Sequence, residues 1–217
     1  MFTGLIEEKG HLISKNISAH SGSLVIGCQK ILEDIHLGDS IAVNGVCLTV
    51  TAFTSNSFTV DVMPVTYQIT ALHQVRIGAA VNLERAMSLQ RRFGGHIVSG
   101  HIDDTGTVVD LTKDEIAWRI AIKPPQHLLR YIILKGAITI DGISLTIAAL
   151  DKDTFTVSII PHTAANTTLA TIKQGMLVNL EVDCIGKYVE RLQQYATPDK
   201  AQSPSTISYE FLLENGF

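Results

Sequence analysis

Hydrophobic and polar residues alternate over many short stretches of the chain. In SFTVDVMPV (residues 57–65) and TFTVSIIPH (residues 154–162), apolar and polar side chains largely alternate and β-branched residues are frequent. Clusters of Asn, Asp, Ser and Gly separate such stretches at short intervals. A period of two is typical of strands with one buried face, and several short strands in about 90 residues predict a small closed antiparallel barrel.

Helical patterns are confined to a few places. They are QKILEDI (29–35), PPQHLLRYII (124–133), GKYVERLQQY (186–195) and SYEFLLENGF (208–217). The segment ATPDKAQSPSTIS between the last two contains two prolines and many small polar residues, which predicts a linker. Tyr188, Leu192 and Tyr195 would form one narrow apolar stripe on a helix too short to be stable alone, so this helix is predicted to pack against a partner.

The strand pattern occurs twice. VNGVCLTVTAFTSNSFTVDVMPVT (43–66) and IDGISLTIAALDKDTFTVSIIPHT (140–163) match at nine of twenty-four positions, about 97 residues apart. This spacing is too long for a solenoid unit and indicates a duplicated domain. We place the copies at about 1–86 and 97–184, within a first domain 1–96, a second domain 97–186 and a tail 187–217. Gly45 and Gly142 are predicted to form tight turns.

Composition excludes several classes of protein. With 217 residues and 46% hydrophobic content, the chain can bury two cores. The net charge is -4, and no basic cluster exceeds Arg91 and Arg92, which argues against nucleic acid as a partner. Cys28, Cys47 and Cys184 are irregularly spaced, which predicts a cytoplasmic protein without disulfides. A signal peptide or membrane span is not expected, because no apolar run approaches about 18 residues.

Five segments carry a family resemblance. They are MFTGLIEE at the start, VNGVCLTV, GGHIVSGHID (94–103), IDGISLTI and VNLEVD (178–183). In this order, and on a duplicated chain, they resemble the riboflavin synthase family of the alpha-chain type over about residues 1–190. The resemblance implies an all-β protein with two tandem, duplicated six-stranded antiparallel Greek-key barrels and a C-terminal helix used in trimerisation. It implies no metal and no cofactor.

The resemblance also implies a reaction. Two molecules of 6,7-dimethyl-8-ribityllumazine would bind at each site, and one would donate a four-carbon unit to the other, giving riboflavin and 5-amino-6-ribitylaminouracil. A reaction between two copies of one substrate needs two similar sites that face each other. The sites must also differ, because one molecule loses a methyl proton while the other is attacked at its ring. The copies do differ at Cys47 and Ser144, Ser40 and Ala137, and Val65 and His162. The sequence leaves open which site holds the donor.

The residue types at the two sites suit this substrate. Alternation places Cys47 and Thr49 on one face of a strand with Leu48 opposite, and likewise Ser144 and Thr146 with Leu145 opposite. A neutral heterocycle with a polyol tail calls for hydroxyls and backbone amides on that face. Candidates for catalysis are Ser40, Cys47, His101, Ser144 and Thr146.

The resemblance implies the remaining substrate contacts. The first site would comprise Gly100, His101 and Ile102 with Cys47, Leu48, Thr49, Asp61, Val62, Met63, Pro64, Val65 and Thr66. The second would comprise Phe2, Thr3, Gly4, Leu5 and Ile6 with Ser144, Leu145, Thr146, Ile160, Pro161, His162, Thr163, Ala164 and Ala165. Lys135 would reach a ligand from the neighbouring chain.

Two histidines lie close together in GGHIVSGHI. His96 and His101 could suggest a metal site, but a third and a fourth ligand are not apparent. A neutral imidazole is a plausible proton carrier for methyl deprotonation. His101 matches the residue that lines the family's site, whereas His96 is predicted to order the turn between the barrels. The identity of the base stays open, as does the choice for Asp183 between catalysis and a helix cap.

One alternative belongs to another functional class. A non-catalytic lumazine- or flavin-binding antenna protein would have the same fold but would have lost parts of the catalytic motifs. GVCLTV, GGHIVSGHI and GISLTI are all intact here, which favours the enzyme. Association with a separate lumazine synthase is left open.

Overall fold

The computed structural model describes residues 1–89, 92–196 and 209–216. Six strands form the first barrel: β1 (Glu8–Ile17), β2 (Gly22–Gly27), β3 (Ser40–Val43), β4 (Val46–Phe53), β5 (Ser57–Val62) and β6 (Ala80–Arg85). Six more form the second: β7 (Asp104–Asp114), β8 (Ala117–Lys123), β9 (Ala137–Ile140), β10 (Ile143–Leu150), β11 (Phe155–Ile159) and β12 (Leu177–Val182). Both barrels lie in one compact unit, Met1–Cys184.

The two barrels share one topology. The strand order of the first is β1-β2-β5-β4-β3-β6, closed by antiparallel pairing of β1 with β6. The second has the equivalent order and is closed by pairing of β7 with β12. The predicted fold of two six-stranded antiparallel Greek-key barrels is therefore confirmed.

Period-two alternation fills each barrel with its own hydrophobic core. In β4, Val46, Leu48 and Val50 are buried, whereas Cys47 is half-buried and Thr49 is exposed. The inward-facing residues of the first barrel pack into one cluster and those of the second into another. Since side chains occupy the interiors, polar groups that can meet a ligand lie on the outer faces.

The helices are short and partly unexpected. α1 (Pro64–Ile69) and α2 (Pro161–Asn166) follow β5 and β11, and the sequence analysis missed both. The predicted helices at 29–35 and 124–133 are 3-10 turns, Lys30–Asp34 and Gln126–Tyr131; two more such turns span Ala71–Gln74 and Thr168–Thr171.

Two helices lie in the C-terminal part, as predicted: α3 (Cys184–Ala196) and α4 (Tyr209–Glu214). Most of the predicted linker, 197–208, lies outside the described residues. Among the helices of the described ranges, none is long and apolar enough to cross a membrane.

Two buried asparagines join the barrels. Asn82 of β6 donates from Nδ2 to the Asp141 carbonyl at 3.0 Å, and its Oδ1 accepts from the Thr168 amide at 2.8 Å. Asn179 of β12 makes the equivalent contacts with the first barrel: its Nδ2 donates to the Asn44 carbonyl at 2.8 Å, and its Oδ1 accepts from the Ala71 amide at 2.6 Å. Each asparagine thus satisfies backbone groups of the other barrel, which relates the two barrels by an approximate two-fold axis.

The two repeated tight turns meet at this axis. Asn44-Gly45 and Asp141-Gly142 are two-residue hairpin loops with positive φ at every position, the type I′ geometry. A Cβ on Gly45 would lie 2.7 Å from the amide nitrogen of Gly142, and a Cβ on Gly142 would lie 2.7 Å from that of Gly45. Glycine is required twice over, for conformation and for contact.

Asp141 occupies the position that Asn44 has in the first barrel, and its burial predicts a pH effect. Burial raises the pKa of this carboxyl from 3.8 to about 7, although a hydrogen bond from the Asn179 amide opposes the shift. The folded protein keeps a proton that the unfolded chain releases, so this contribution to stability is present below about pH 4 and is lost as pH rises to about 7. We expect Asp141→Asn to raise the free energy of unfolding at about pH 8 by roughly 2–4 kcal/mol, and by much less near pH 4.

The measurement is urea unfolding of both proteins across this pH range. Asn44→Asp is the matched control, and it should be destabilised most above about pH 7. A stability difference between Asp141→Asn and the unaltered protein that does not vary with pH would contradict the prediction.

Candidate active site

Two equivalent segments cross between the barrels. We call residues 2–6 the N-terminal strap and residues 98–102 the central strap. Phe2 and Val98 pair as an antiparallel bridge, with N···O distances of 2.8 and 3.2 Å, and both side chains are buried. Residues 2–6 are therefore held in place by pairing with the central strap.

Each strap contacts the candidate residue of the other barrel. The Gly4 carbonyl accepts a hydrogen bond from the Ser144 amide at 2.8 Å, and the Gly100 carbonyl accepts one from the Cys47 amide at 2.8 Å. Ile6 packs against the core of the second barrel, whereas Ile102 packs against that of the first. Each site thus combines a strand of one barrel with the strap that precedes the other.

The straps approach so closely that glycine is needed in both. Gly4 and Gly100 have φ values of 78° and 79°. A Cβ on Gly4 would lie 2.6 Å from the Ser144 Cβ, and a Cβ on Gly100 would lie 2.6 Å from the Cys47 Cβ. Any larger residue would separate the strap from the site.

Polar side chains form a row on the outer face of the first barrel. Ser40 lies opposite Thr49, and Thr49 lies opposite Asp61 on the next strand. The equivalent positions of the second barrel are Ala137, Thr146 and Ser158, so the first row has a carboxylate where the second has a hydroxyl. This difference at Asp61 was not among those predicted to distinguish the two sites.

Apolar side chains border each row where β5 and β11 end. Met63 and Val65 are 65% and 57% exposed, and Ile160 is 54% exposed. Pro161, His162 and Ala165 are exposed and Pro64, Thr66, Thr163 and Ala164 are half-buried in the turns that begin α1 and α2. Polar groups beside exposed apolar ones suit a planar heterocycle with a polar tail.

Several predicted contact residues face inward. Leu48 and Val62 lie in the first core, and Phe2 is fully buried. Thr3 is buried as well, and Leu145 is half-buried against the second core. These side chains are not on the outer face, so they would touch a ligand only through their backbone or would support the residues that do.

His96 is hydrogen-bonded to Ser144, which the sequence analysis did not predict. Its Nδ1 lies 2.7 Å from the Ser144 Oγ, and its backbone amide donates to the Thr3 carbonyl at 3.2 Å. Nε2 is buried and has no hydrogen-bond partner among the described residues. Burial lowers the pKa of the His96 imidazole, an effect that Asp183 and Glu181 oppose, so the ring is neutral near pH 7.

The remaining candidates are at the surface. His101 is exposed on the central strap, and Leu5 occupies the equivalent position of the N-terminal strap, where it is 47% exposed. Lys135 is exposed with a positive φ of 63°, and its amide donates to the Ile147 carbonyl at 2.9 Å. Within the described ranges no cluster of three His, Cys, Asp or Glu residues could hold a metal ion. The three cysteines are free.

Comparisons with known proteins fit this architecture. A family model, Lumazine binding domain, matches residues 3–86 and again residues 99–183. The chain is 51% identical over 217 residues to the riboflavin synthase of Bacillus subtilis (strain 168), and 50% identical over 218 residues to that of Actinobacillus pleuropneumoniae. In both comparisons 100% of each chain is covered.

Solved structures of LumP are similar to this chain in fold. LumP complexed with riboflavin superimposes with a TM-score of 0.78, and LumP complexed with 6,7-dimethyl-8-(1'-D-ribityl) lumazine with a TM-score of 0.76. Each is 26% identical and covers 84% of this chain and 99% of its own. Fold and matches together define a protein with two lumazine binding domains. With full-length relatives at 51% identity, the chain belongs to the riboflavin synthase family and is an enzyme of the transferase type.

His96 gives rise to a prediction for this enzyme. A neutral imidazole bonded to Ser144 can accept a proton or orient the hydroxyl, and general bases contribute about 10²–10⁴-fold to rates. We expect His96→Asn, which can keep a hydrogen bond to Ser144 but cannot titrate, to lower kcat by at least about tenfold and to change the acid limb of the pH–rate profile. His20→Asn, at an exposed hairpin, is the matched control. Unchanged turnover and pH profile in His96→Asn would leave His96 with the turn-ordering role alone.

Proposed function

We propose that the protein is a riboflavin synthase that converts two molecules of 6,7-dimethyl-8-ribityllumazine into riboflavin and 5-amino-6-(D-ribitylamino)uracil by four-carbon transfer. The observation that carries this proposal is the pair of equivalent outer-face sites, each built from a strand and a crossing strap, with different reactive groups. The solved relatives named above hold the lumazine or riboflavin, which supports the same ligands here. The products contain all atoms of the two substrate molecules, so no external oxidant or co-substrate is required.

The second site is proposed to deprotonate its lumazine. A methyl group conjugated with the heterocycle must lose a proton to become a nucleophile, and a neutral imidazole is suited to this transfer. His96 bonded to Ser144 provides that group, and Thr146 lies two residues further along the outer face of β10. The first site is then proposed to bind the lumazine that is attacked, with Cys47, Ser40 and His101 positioned to hydrogen-bond or add to its ring.

A trimer would bring two such sites together. On α3, Tyr188, Leu192 and Tyr195 are 70%, 67% and 70% exposed, an apolar stripe that a short helix does not leave in water without cost. We propose that three copies of this helix associate and set the first barrel of one subunit against the second barrel of the next. Lys135 would then reach a ligand bound on the neighbouring subunit. The same proposal includes a cytoplasmic location and the domain limits 1–96, 97–186 and 187–217.

Incubation with the lumazine alone tests the function. We expect riboflavin to form without added metal or cofactor, with two lumazines consumed for each riboflavin. Absorbance of riboflavin and chromatography of both products measure the ratio. Tight binding of unchanged lumazine would instead support a non-catalytic lumazine- or flavin-binding antenna protein of the same fold. Loss of activity with a chelator would overturn the metal-free mechanism.

Mixed trimers test the intersubunit site. A first site altered by Cys47→Ala with His101→Ala, and a second site altered by Thr146→Ala, should each give nearly inactive homotrimers. When the two chains are co-expressed, some intact first sites would face intact second sites, so part of the activity should return. Native mass spectrometry verifies that mixed trimers form. If they form and remain as inactive as either parent, the site lies within one chain and the proposed arrangement is wrong.

A further inference from the structure

Two buried glutamates hold the straps. Glu84 accepts three hydrogen bonds from the N-terminal strap: Oε1 from the Thr3 amide and hydroxyl, both at 2.7 Å, and Oε2 from the Gly4 amide at 3.0 Å. Glu181 binds the central strap in the same way, through the Ser99 amide and hydroxyl at 2.7 and 2.6 Å and the Gly100 amide at 3.0 Å. The glutamates are 3% and 1% exposed.

The hydrogen bonds that hold each strap are stronger than those between neutral groups. A carboxylate that accepts three donors makes charge-assisted hydrogen bonds, which are about twice as strong as neutral ones. Burial raises the pKa of the Glu84 carboxyl, and the hydrogen bonds from Thr3 and Gly4 counter that effect by stabilising the charged form. The straps are therefore held at Thr3-Gly4 and at Ser99-Gly100, where they reach the sites.

The contacts continue into the opposite barrel. Glu84 belongs to the first barrel, but the Gly4 carbonyl of the strap it holds accepts from Ser144 in the second. Glu181 belongs to the second barrel, but the Gly100 carbonyl of its strap accepts from Cys47 in the first. A single glycine therefore connects each glutamate to a candidate catalytic residue of the other barrel: Gly4 connects Glu84 to Ser144, and Gly100 connects Glu181 to Cys47.

We propose that Glu84 and Glu181 are reciprocal positioning residues: Glu84 sets the geometry of the second site, and Glu181 sets that of the first. They act through Gly4 and Gly100 and do not themselves touch the substrate. Each barrel would then be unable to form its own site fully without the carboxylate of the other. The role in catalysis rests on the proposed function, whereas the reciprocal control of strap position does not.

Thiol reactivity can test each site separately. Cys28 is buried with its pKa raised to about 12, so it reacts slowly, and Cys184→Ser leaves Cys47 as the reporter of the first site. A second reporter chain with Cys47→Ser, Cys184→Ser and Ser144→Cys reports the second site. Iodoacetamide alkylation, followed by mass spectrometry, gives the rate at each thiol with and without riboflavin.

We expect each substitution to affect the thiol of the opposite barrel, a result we call crossed. Glutamine has the size of glutamate, but its NH2 group donates and cannot replace the second carboxylate oxygen, so the second strap N–H loses its acceptor and the strap loosens. Glu181→Gln should accelerate alkylation of Cys47 about tenfold and weaken its protection by riboflavin to a similar degree, while Glu84→Gln changes it less than about twofold. In the second reporter chain the two substitutions should exchange roles. Glu33→Gln, at an exposed glutamate, is the matched control.

Three outcomes would overturn the inference: effects on the site of the same barrel, equal effects on both sites, or no effect. General destabilisation would change both thiols alike, so the crossed pattern distinguishes positioning from a merely structural role. If a glutamine variant does not fold, Ser99→Ala removes one of the three bonds to Glu181 and should accelerate Cys47 alone, by about two- to fivefold. Riboflavin that protects neither thiol in the reporter chains would refute the proposed function, while the ligand-free alkylation rates would still decide the inference.

Discussion

The rest of the structure depends on the exchange of hydrogen bonds between Asn82 and Asn179 at the approximate two-fold axis. Each amide is fully buried and bonds to backbone groups of the other barrel. A buried amide left without partners costs about 1–3 kcal/mol, so the barrels are favoured only in the one arrangement that satisfies both. That arrangement brings Gly45 against Gly142 and thereby places the strands that carry Cys47 and Ser144 next to the opposite straps.

The two barrels have equivalent backbones, but the side chains at their candidate sites differ. Asp61 is replaced by Ser158 and Asn44 by Asp141, although the backbone at these positions is equivalent. His96 lies two residues before the central strap, in the segment that joins the two barrels, and its imidazole is hydrogen-bonded to Ser144. The imidazole at the second candidate site therefore comes from this connecting segment and not from a barrel strand. In the proposed mechanism, this segment would supply a neutral base to the second site.

The barrels could be predicted because their causes are local. Alternation fixes which residues face the core, and Asn-Gly or Asp-Gly between apolar residues specifies a two-residue turn, as at Gly45. α1 and α2 were missed although Pro64 and Pro161 stand at their first positions, because the runs are too short to show a helical period. The contact of His96 with Ser144 could not be predicted from the sequence, because it joins residues 48 positions apart, one between the barrels and one on β10.

The crossing of the straps gives the duplication a structural reason beyond the need for two substrates. A single barrel would still hold its own strap, since Glu84 binds the Gly4 amide within the first copy. The Gly4 carbonyl, however, accepts its hydrogen bond from Ser144 of the second barrel and would have no donor in a single barrel. Ile6 and Ile102 would likewise lose the cores against which they pack. Two barrels supply each other with these contacts, so the two candidate sites form together in one chain. In the proposed trimer, each chain would then offer a complete first site and a complete second site to its neighbours, as a reaction between two bound molecules of one compound requires.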